Sequence, residues 1–200
     1  MSIFKLLLGI QNKKDKNDLR KDPDESKFMP EKKQPIDDMF MNNFKNNGGK
    51  FLYCEDENEL QATFKQILTE NNWNKENVYA KSSEILKRFE ISNSKTKALD
   101  AEYFLTSTEY LIANTGALLV NSDQIGEKKL ADLPYNFIVI ATTSQLLETI
   151  GEGLQLIKRK KKPIPSNITT MKTFEGKVES DFMSYGSPSK NLYLLLLEDL

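Results

Sequence analysis

The sequence predicts an α/β fold in which a mostly parallel, twisted sheet carries helices on both faces. Apolar runs such as Phe137 to Ala141 and Leu192 to Leu197 lack strict alternation, which is typical of strands covered on both sides. Segments with apolar residues at helical spacing lie between such runs. Strands separated by helices of this length imply βαβ crossovers within one sheet.

The amino-acid composition excludes several kinds of partner, metal site and catalytic site. Its 200 residues are enough for one well-developed core, and its 28 basic and 29 acidic side chains nearly cancel, so we expect no nucleic-acid partner. Cys54 is the only cysteine, and histidine is absent. This excludes a disulfide within the chain, a Cys/His zinc site, an iron–sulfur cluster held by this chain alone, and Ser-His-Asp catalysis. We expect no metal site and no cofactor.

Three segments are predicted along the chain. Residues 1–10 read as a short amphipathic helix, because the apolar run Leu6 to Leu8 is too short to span a bilayer and lacks a signal-peptide cleavage site. Residues 11–35 are rich in Lys, Asp, Glu and Pro and are expected to form a flexible linker. Residues 36–200 form the α/β domain. We expect a cytoplasmic protein, with contact of residues 1–10 with a membrane surface as the alternative.

The first part of the domain predicts an alternation of helices and strands. A helix over Pro35 to Asn47 precedes a strand at Lys50 to Cys54. Asp56 begins the next helix, because a glutamate three residues later completes a capping-box pattern. A short strand at Val78 to Ala80 follows, and Ser82 caps a further helix.

The second part predicts longer apolar strands. Thr143 or Ser144 opens a helix that carries Leu146, Leu147, Ile150, Leu154 and Ile157 on one face, and a further segment lies near Thr173 to Ser184. The predicted strands are Ala101 to Leu105, Leu111 to Val120, Phe137 to Ala141 and Leu192 to Leu197.

A polar step, Asn114-Thr115-Gly116, interrupts the apolar run from Ile112 to Val120. One interpretation is the end of a buried strand, where open α/β sheets form ligand crevices and where Asn and Thr side chains offer hydrogen bonds. The other is an ordinary hairpin turn made of residues that favour turns. Spacing alone leaves both interpretations open.

The stretch from Phe104 to Val120, FLTSTEYLIANTGALLV, resembles the signature of the lactate-utilization (LUD domain) family. The resemblance continues through Leu133-Pro134 and the Phe137 to Ala141 strand to the closing leucine-rich strand, and covers about Ile36 to Leu200. It implies the fold shared by sugar-phosphate isomerases, glucosamine-phosphate deaminases and CoA transferases (NagB/RpiA/CoA transferase-like). It also implies a part in oxidising lactate to pyruvate, as the small subunit that works beside iron–sulfur partners.

The chain departs from the family pattern at several positions. Asn114 stands where the family usually has Glu, and Glu109 where it usually has Asp. Around Ile168 to Thr173 only the hydroxyl-rich character and one cation, Lys172, remain of an anion-binding turn. The usual His-Gly-Pro has become Tyr-Gly-Ser-Pro at residues 185–188. Either this branch has a different ligand or its role is chiefly structural.

We predict one pocket that binds a small carboxylate or phosphate. Glu109 is the candidate general base or nucleophile, although a solvated glutamate at a helix end is the commoner state of such a residue. In this pocket Asn114 and the Thr115 hydroxyl would orient the anion, and Lys172 would supply charge. The ligand-binding candidates are Thr106, Ser107, Asn114, Thr115, Gly116, Ser122, Thr169, Thr170 and Lys172.

Three functions are compatible with this pocket. The first is an accessory or ligand-binding subunit in lactate utilization. The second is an isomerase or CoA/acyl-transfer enzyme that uses Glu109, and the third is an interaction protein without its own chemistry.

Three further features have structural interpretations. The basic run Lys158 to Lys162 is expected to complement a helix dipole and lie in water. Gly151 and Gly153 lack the third glycine and preceding strand of a dinucleotide site, so they are expected to allow close helix packing. Cys54 is expected to be a buried, unreactive thiol.

Overall fold

The computed structural model describes residues 34–172, Phe174 and residues 190–199. The helix predicted over residues 1–10, most of the linker predicted over residues 11–35, and the Tyr-Gly-Ser-Pro motif lie outside this range. So does the segment predicted near Thr173 to Ser184, apart from Phe174. Within the described residues, no helix is both long and apolar enough to cross a membrane.

The described part of the chain contains five α-helices, nine strands and three short 3-10 helices. The helices are α1 Ile36–Asn46, α2 Glu57–Asn71, α3 Ser83–Arg88, α4 Ser122–Ile125 and α5 Ile150–Lys160. The strands are β1 Lys50–Cys54, β2 Val78–Tyr79, β3 Tyr103–Ser107, β4 Tyr110–Ile112, β5 Ala117–Val120, β6 Asn136–Thr142, β7 Leu146–Leu147, β8 Thr169–Met171 and β9 Asn191–Leu197.

The main sheet has the order β1-β9-β6-β3-β2, and every pairing in it is parallel. The central strands β6 and β9 are buried along almost their whole length, which explains why their sequences are continuously apolar. The predicted α/β fold with a mostly parallel sheet is confirmed.

Helices α2 and α3 cover one face of the main sheet. Asp56 caps α2 by accepting a hydrogen bond of 2.9 Å from the Glu59 N–H, and Ser82 caps α3. The apolar face of α2 packs with residues that alternate along β1, β3, β6 and β9. The predicted starts of these helices are therefore confirmed.

Helix α1 packs against the opposite side of β1 through aromatic rings. The Phe40 and Phe44 rings stack with centroids 5.5 Å apart, and both meet the Phe51 ring edge-on. All three side chains are buried. This contact fixes the position of α1 against β1.

The segment from Leu111 to Val120 is not one strand, contrary to the first interpretation of its sequence. It forms an antiparallel hairpin of β4 and β5 within a second, four-stranded sheet of order β7-β4-β5-β8. The chain turns because Gly116 adopts a φ of +62° and its N–H bonds back to the Ala113 carbonyl at 3.4 Å. The hairpin interpretation was correct.

The helix expected to open at Thr143 or Ser144 begins later. Residues Thr143–Gln145 form a single 3-10 turn, and Leu146 and Leu147 pair with β4 as β7 instead of lying on a helix. Thr149 is the true N-cap of α5, and Glu152 completes its capping box. The prediction that Leu146 and Leu147 lie on a helix is wrong, because pairing with a neighbouring strand overrode their helical spacing.

Helix α5 packs on the outer face of the second sheet. Its Ile157 is fully buried with Tyr110, Ile112 and Leu119. A Cβ built on Gly153 would lie 2.8 Å from the Leu119 Cδ2, so the missing side chain permits this approach. The packing role expected for Gly153 is confirmed, whereas a Cβ on Gly151 would meet only the Thr149 hydroxyl at 3.8 Å.

Candidate functional site

Glu109 lies between β3 and β4, directly beyond the carboxyl end of β3. Its N–H donates to the Leu119 carbonyl at 2.8 Å, which ties it to the open end of the hairpin. The Thr108 hydroxyl donates to the same carbonyl, also at 2.8 Å. The Glu109 side chain is only 12% exposed, so its carboxylate must find partners within the protein.

Three donors converge on one oxygen of the Glu109 carboxylate. Its Oε2 accepts hydrogen bonds from Asn121 Nδ2 at 3.1 Å, Gln124 Nε2 at 3.2 Å and Lys161 Nζ at 2.7 Å. No described residue donates to its other oxygen, Oε1. Glu109, Asn121, Asp123, Gln124 and Lys161 are called the Glu109 cluster below.

Lys161 bridges two carboxylates of the cluster. Its Nζ lies 2.7 Å from Glu109 Oε2 and 2.6 Å from Asp123 Oδ2. Burial lowers the pKa of Lys161, but its hydrogen bonds to Asp123 and Glu109 outweigh this effect and the pKa is raised. Lys161 is therefore a firmly held cation.

The prediction that the whole basic run Lys158 to Lys162 lies in water is wrong at one position. Residues 158–160 and 162 are exposed, whereas the side chain of Lys161 is only 29% exposed. Helix α5 ends at Lys160, and Lys161 adopts an extended φ of −110°. The side chain thereby leaves the outer surface of the helix and reaches Glu109.

Helix α4 positions the two amide donors. Asn121 is its N-cap and accepts from the Asp123 N–H at 2.8 Å, while Gln124 Oε1 accepts from the Asn121 N–H at 2.9 Å. This capping box leaves the Nδ2 and Nε2 groups of the two side chains free to face Glu109. The Asn-x-x-Gln spacing after a buried strand was the signal in the sequence that could have identified these residues.

Thr106, Ser107 and Ser122, three of the predicted ligand-binding candidates, lie next to the cluster. The Thr106 hydroxyl is buried and faces the Gln124 carbonyl at 3.5 Å. Ser107 is half-buried at the last position of β3, and its hydroxyl bonds to none of the described residues. The Ser122 carbonyl accepts a hydrogen bond from Lys81 Nζ, which brings a second cation to α4.

The Asn114-Thr115-Gly116 step lies at the opposite end of the hairpin. The three residues of β4, a length of about 10 Å, and Ala113 separate it from Glu109. Asn43 Nδ2 donates to the Ala113 carbonyl at 2.8 Å, and Asn47 Nδ2 donates to the Thr115 carbonyl at 2.7 Å. The carbonyl groups of the turn are thus bound by the end of α1, while the Asn114 side chain is exposed.

The remaining predicted residues follow β8. Thr169 pairs with Val120 and Thr170 with Leu119, so both lie along the edge of the second sheet. Lys172 is exposed and follows Met171, which pairs with Leu118, so it lies toward the Asn114 end. The predicted pocket residues therefore fall into two groups, one around Glu109 and one around Asn114.

Asp199 forms a polar contact with the carboxyl end of β6 that the sequence did not reveal. Its Oδ1 accepts from the Thr143 hydroxyl and the Ser144 N–H, each at 2.8 Å, and its Oδ2 accepts from the Ser144 hydroxyl at 2.6 Å. Burial raises the pKa of Asp199, but these hydrogen bonds outweigh it and bring the pKa to about 2. Gln145 then links this turn to the cluster by donating to the Thr108 carbonyl at 2.8 Å.

Cys54 lies at the carboxyl end of β1 and is fully buried. Burial raises the pKa of its thiol to about 11. Because the thiolate is the reactive form, this environment makes Cys54 a poor nucleophile near neutral pH, in agreement with the sequence prediction.

Comparison with known proteins identifies relatives of this architecture. The family model described as the LUD domain matches residues 38–196. A crystal structure of a DUF162 family protein from Deinococcus radiodurans is similar, with a TM-score of 0.60 and 15% sequence identity over 82% of this chain and 96% of that chain. No match was found among curated proteins.

Proposed function

The chain belongs to the LUD domain family, and we propose that it is a cytoplasmic accessory subunit in the oxidation of lactate to pyruvate. In this role it binds a small carboxylate and leaves electron transfer to iron–sulfur partners. Family membership relates the chain to lactate utilization. The arrangement around Glu109 supports a binding role, and it is the observation on which the proposal depends.

The proposed ligand site lies at the carboxyl edge of β3. The Ser107 hydroxyl and Glu109 Oε1 have no hydrogen-bond partner among the described residues, so both can bind a small polar ligand. A 2-hydroxy acid fits this pair, because its hydroxyl can donate to the Glu109 carboxylate while the Ser107 hydroxyl donates to its carboxylate. Lys81, which reaches the Ser122 carbonyl, supplies positive charge nearby.

The fixed position of Glu109 argues against the isomerase and acyl-transfer alternative. As a base or nucleophile, the carboxylate would lose its negative charge during the reaction. Lys161 would then keep only Asp123 as an anionic partner, and Asn121 and Gln124 would face a weaker acceptor. This cost favours a carboxylate that orients a ligand over one that reacts.

Calorimetric titration with L-lactate tests the ligand site. We expect Ser107→Ala and Glu109→Gln each to weaken L-lactate binding by about tenfold or more, which is the effect of losing a hydrogen bond to a charged group. Asn114→Leu is the matched comparison, because its side chain is exposed at the other end of the hairpin. Loss of binding in Asn114→Leu alone would move the ligand to the Asn114 turn, and absence of binding in every form would refute the ligand proposal.

The partner proposal has a separate test. The full chain, carrying an affinity tag, is isolated without oxygen from the cells that produce it. We expect an iron–sulfur protein to co-purify and to give the visible absorption of its clusters, which this chain cannot supply with one cysteine. Isolation of the chain without a cluster-containing partner would contradict the accessory role.

A further inference from the structure

A second pocket lies between helix α2 and β1, on the far side of the sheet from α1. Its volume is about 170 Å³. Lys50 is the first residue of β1, so its side chain lies near the amino ends of the parallel strands, whereas Glu109 lies at their carboxyl ends. The lining residues include Lys50, Leu52, Ile67, Glu70 and Tyr193.

Lys50 brings a positive charge to this pocket and makes its hydrogen bonds to neutral groups. Its Nζ donates to Asn191 Oδ1 at 2.8 Å and to the Tyr193 hydroxyl at 3.1 Å, and lies 4.4 Å from the centre of the Tyr193 ring. Among the residues that the structure describes, no carboxylate oxygen lies within 4.0 Å of this nitrogen. The ammonium group is therefore oriented by neutral partners only.

Tyr193 forms a rigid floor beneath that charge. It is 8% exposed, and its hydroxyl is fixed by the Asn71 side chain at the end of α2, with contacts of 3.1 Å to Nδ2 and 3.2 Å to Oδ1. The Leu52 and Ile67 side chains supply apolar wall beside this polar end. A cation at one end and apolar wall beside it suit a ligand with a charged head and a short hydrocarbon tail.

We propose that this pocket binds a small aliphatic monocarboxylate. The carboxylate would contact Lys50, and the hydrocarbon part would lie against Leu52 and Ile67. A dianion such as phosphate is a poorer fit, because Lys50 is the pocket's single cation among the described residues and Glu70 lies on the opposing wall. A cavity of about 150 Å³ holds a molecule the size of benzene, so about six non-hydrogen atoms fit here.

Titration of the full chain with butyrate and with butyramide tests the proposal. The two probes have the same size, but only butyrate is charged. We expect saturable binding of butyrate and binding at least about tenfold weaker for butyramide, because a charge-assisted hydrogen bond is replaced by a neutral one. Equal affinity for the two probes, or no binding of butyrate, would overturn the proposal.

Substitution of the lysine gives a second, independent test. Lys50→Met keeps the aliphatic stem and removes the charge, so butyrate affinity is expected to fall about tenfold. Lys65→Met removes an exposed charge from the outer side of the same helix α2 and is expected to leave the affinity unchanged. Lys50→Gln serves as a second substitution, and circular dichroism verifies folding. Unchanged butyrate affinity in a folded Lys50 variant, or loss in Ser107→Ala instead, would exclude this pocket.

Discussion

Glu109 and Lys161 illustrate how a single ion pair organises three separate elements. Glu109 follows β3, Lys161 follows α5, and the amide donors come from α4. The carboxylate is mostly buried, so its partners remove the cost of taking a charge out of water. The cluster therefore holds the carboxyl end of β3 against the second sheet.

Removing the cation of this cluster should destabilise the fold. Lys161→Met leaves Glu109 with amide donors only, and we expect the free energy of unfolding to fall by about 2 kcal/mol. Urea denaturation measures this change. Lys158→Met is the control, because that side chain is exposed on the same helix and should change stability by less than about 0.5 kcal/mol. Equal effects of the two substitutions would mean that the ion pair contributes nothing.

Asp199 should make a contribution to the free energy of unfolding that depends on pH. Its folded-state pKa of about 2 lies below the ordinary value of 3.8. The contribution is therefore complete above about pH 4 and is lost as the pH falls toward 2. We expect Asp199→Asn to flatten the pH dependence of the unfolding midpoint in this window, while Glu76→Gln, an exposed acid without a side-chain partner among the described residues, leaves it unchanged.

At the scale of single residues, the sequence drew attention to several polar groups but not to the partners that hold them. Thr106, Ser107, Glu109 and Ser122 do lie together. Lys161 was predicted to be exposed to water because a positive charge complements the dipole at the end of a helix. The extended φ at this position turns its side chain inward. Such a turn depends on where the helix stops, which periodicity locates only within a few residues.

At the scale of elements, the β4–β5 hairpin decides between the two interpretations of the Asn114 step. The apolar run from Leu111 to Val120 suggests a long buried strand, whereas the Asn114-Thr115-Gly116 step suggests a turn. Contacts with α1 decide between them, because a Cβ at residue 116 would lie 2.4 Å from the Asn43 backbone. Such a contact joins residues about 70 positions apart, and no local pattern in the sequence contains it.

The two glycines of α5 should respond to alanine in opposite ways. Gly151→Ala meets only open space and the Thr149 hydroxyl, so its better helix propensity should raise stability by about 0.5 kcal/mol. Gly153→Ala brings a Cβ to 2.8 Å from the buried Leu119 side chain and should lower stability by about 1 kcal/mol or more. Thermal unfolding compares the two variants. Stabilisation by both would show that α5 does not pack closely on β5.

At the scale of the whole molecule, fold class followed from the sequence and strand order did not. The apolar runs indicate strands covered on both sides, and in the structure β6 and β9 are buried along almost their whole length. Nothing in the sequence indicates that β9, the last strand, lies between β1 and β6. Pairing between distant segments depends on the packing of the complete sheet, and for this reason the single predicted pocket separated into two groups of residues.

Because the predicted pocket residues fall into two groups, the proposed ligand site is limited to one end of the molecule. The carboxyl edge of β3 carries the buried carboxylate, the half-buried Ser107 hydroxyl and the two nearby lysines, whereas the Asn114 turn is bound to α1. The proposed ligand site at Ser107 and Glu109 therefore lies at the carboxyl edge of β3.

Lactate oxidation in cell extract tests the central proposal most directly. The measurement is the rate of pyruvate formation from L-lactate in extract from cells lacking this chain, before and after the purified chain is added. We expect no activity without the chain, full activity with it, and reduced activity with Ser107→Ala. Undiminished pyruvate formation without the chain would contradict the account, and so would lactate oxidation by the purified chain alone.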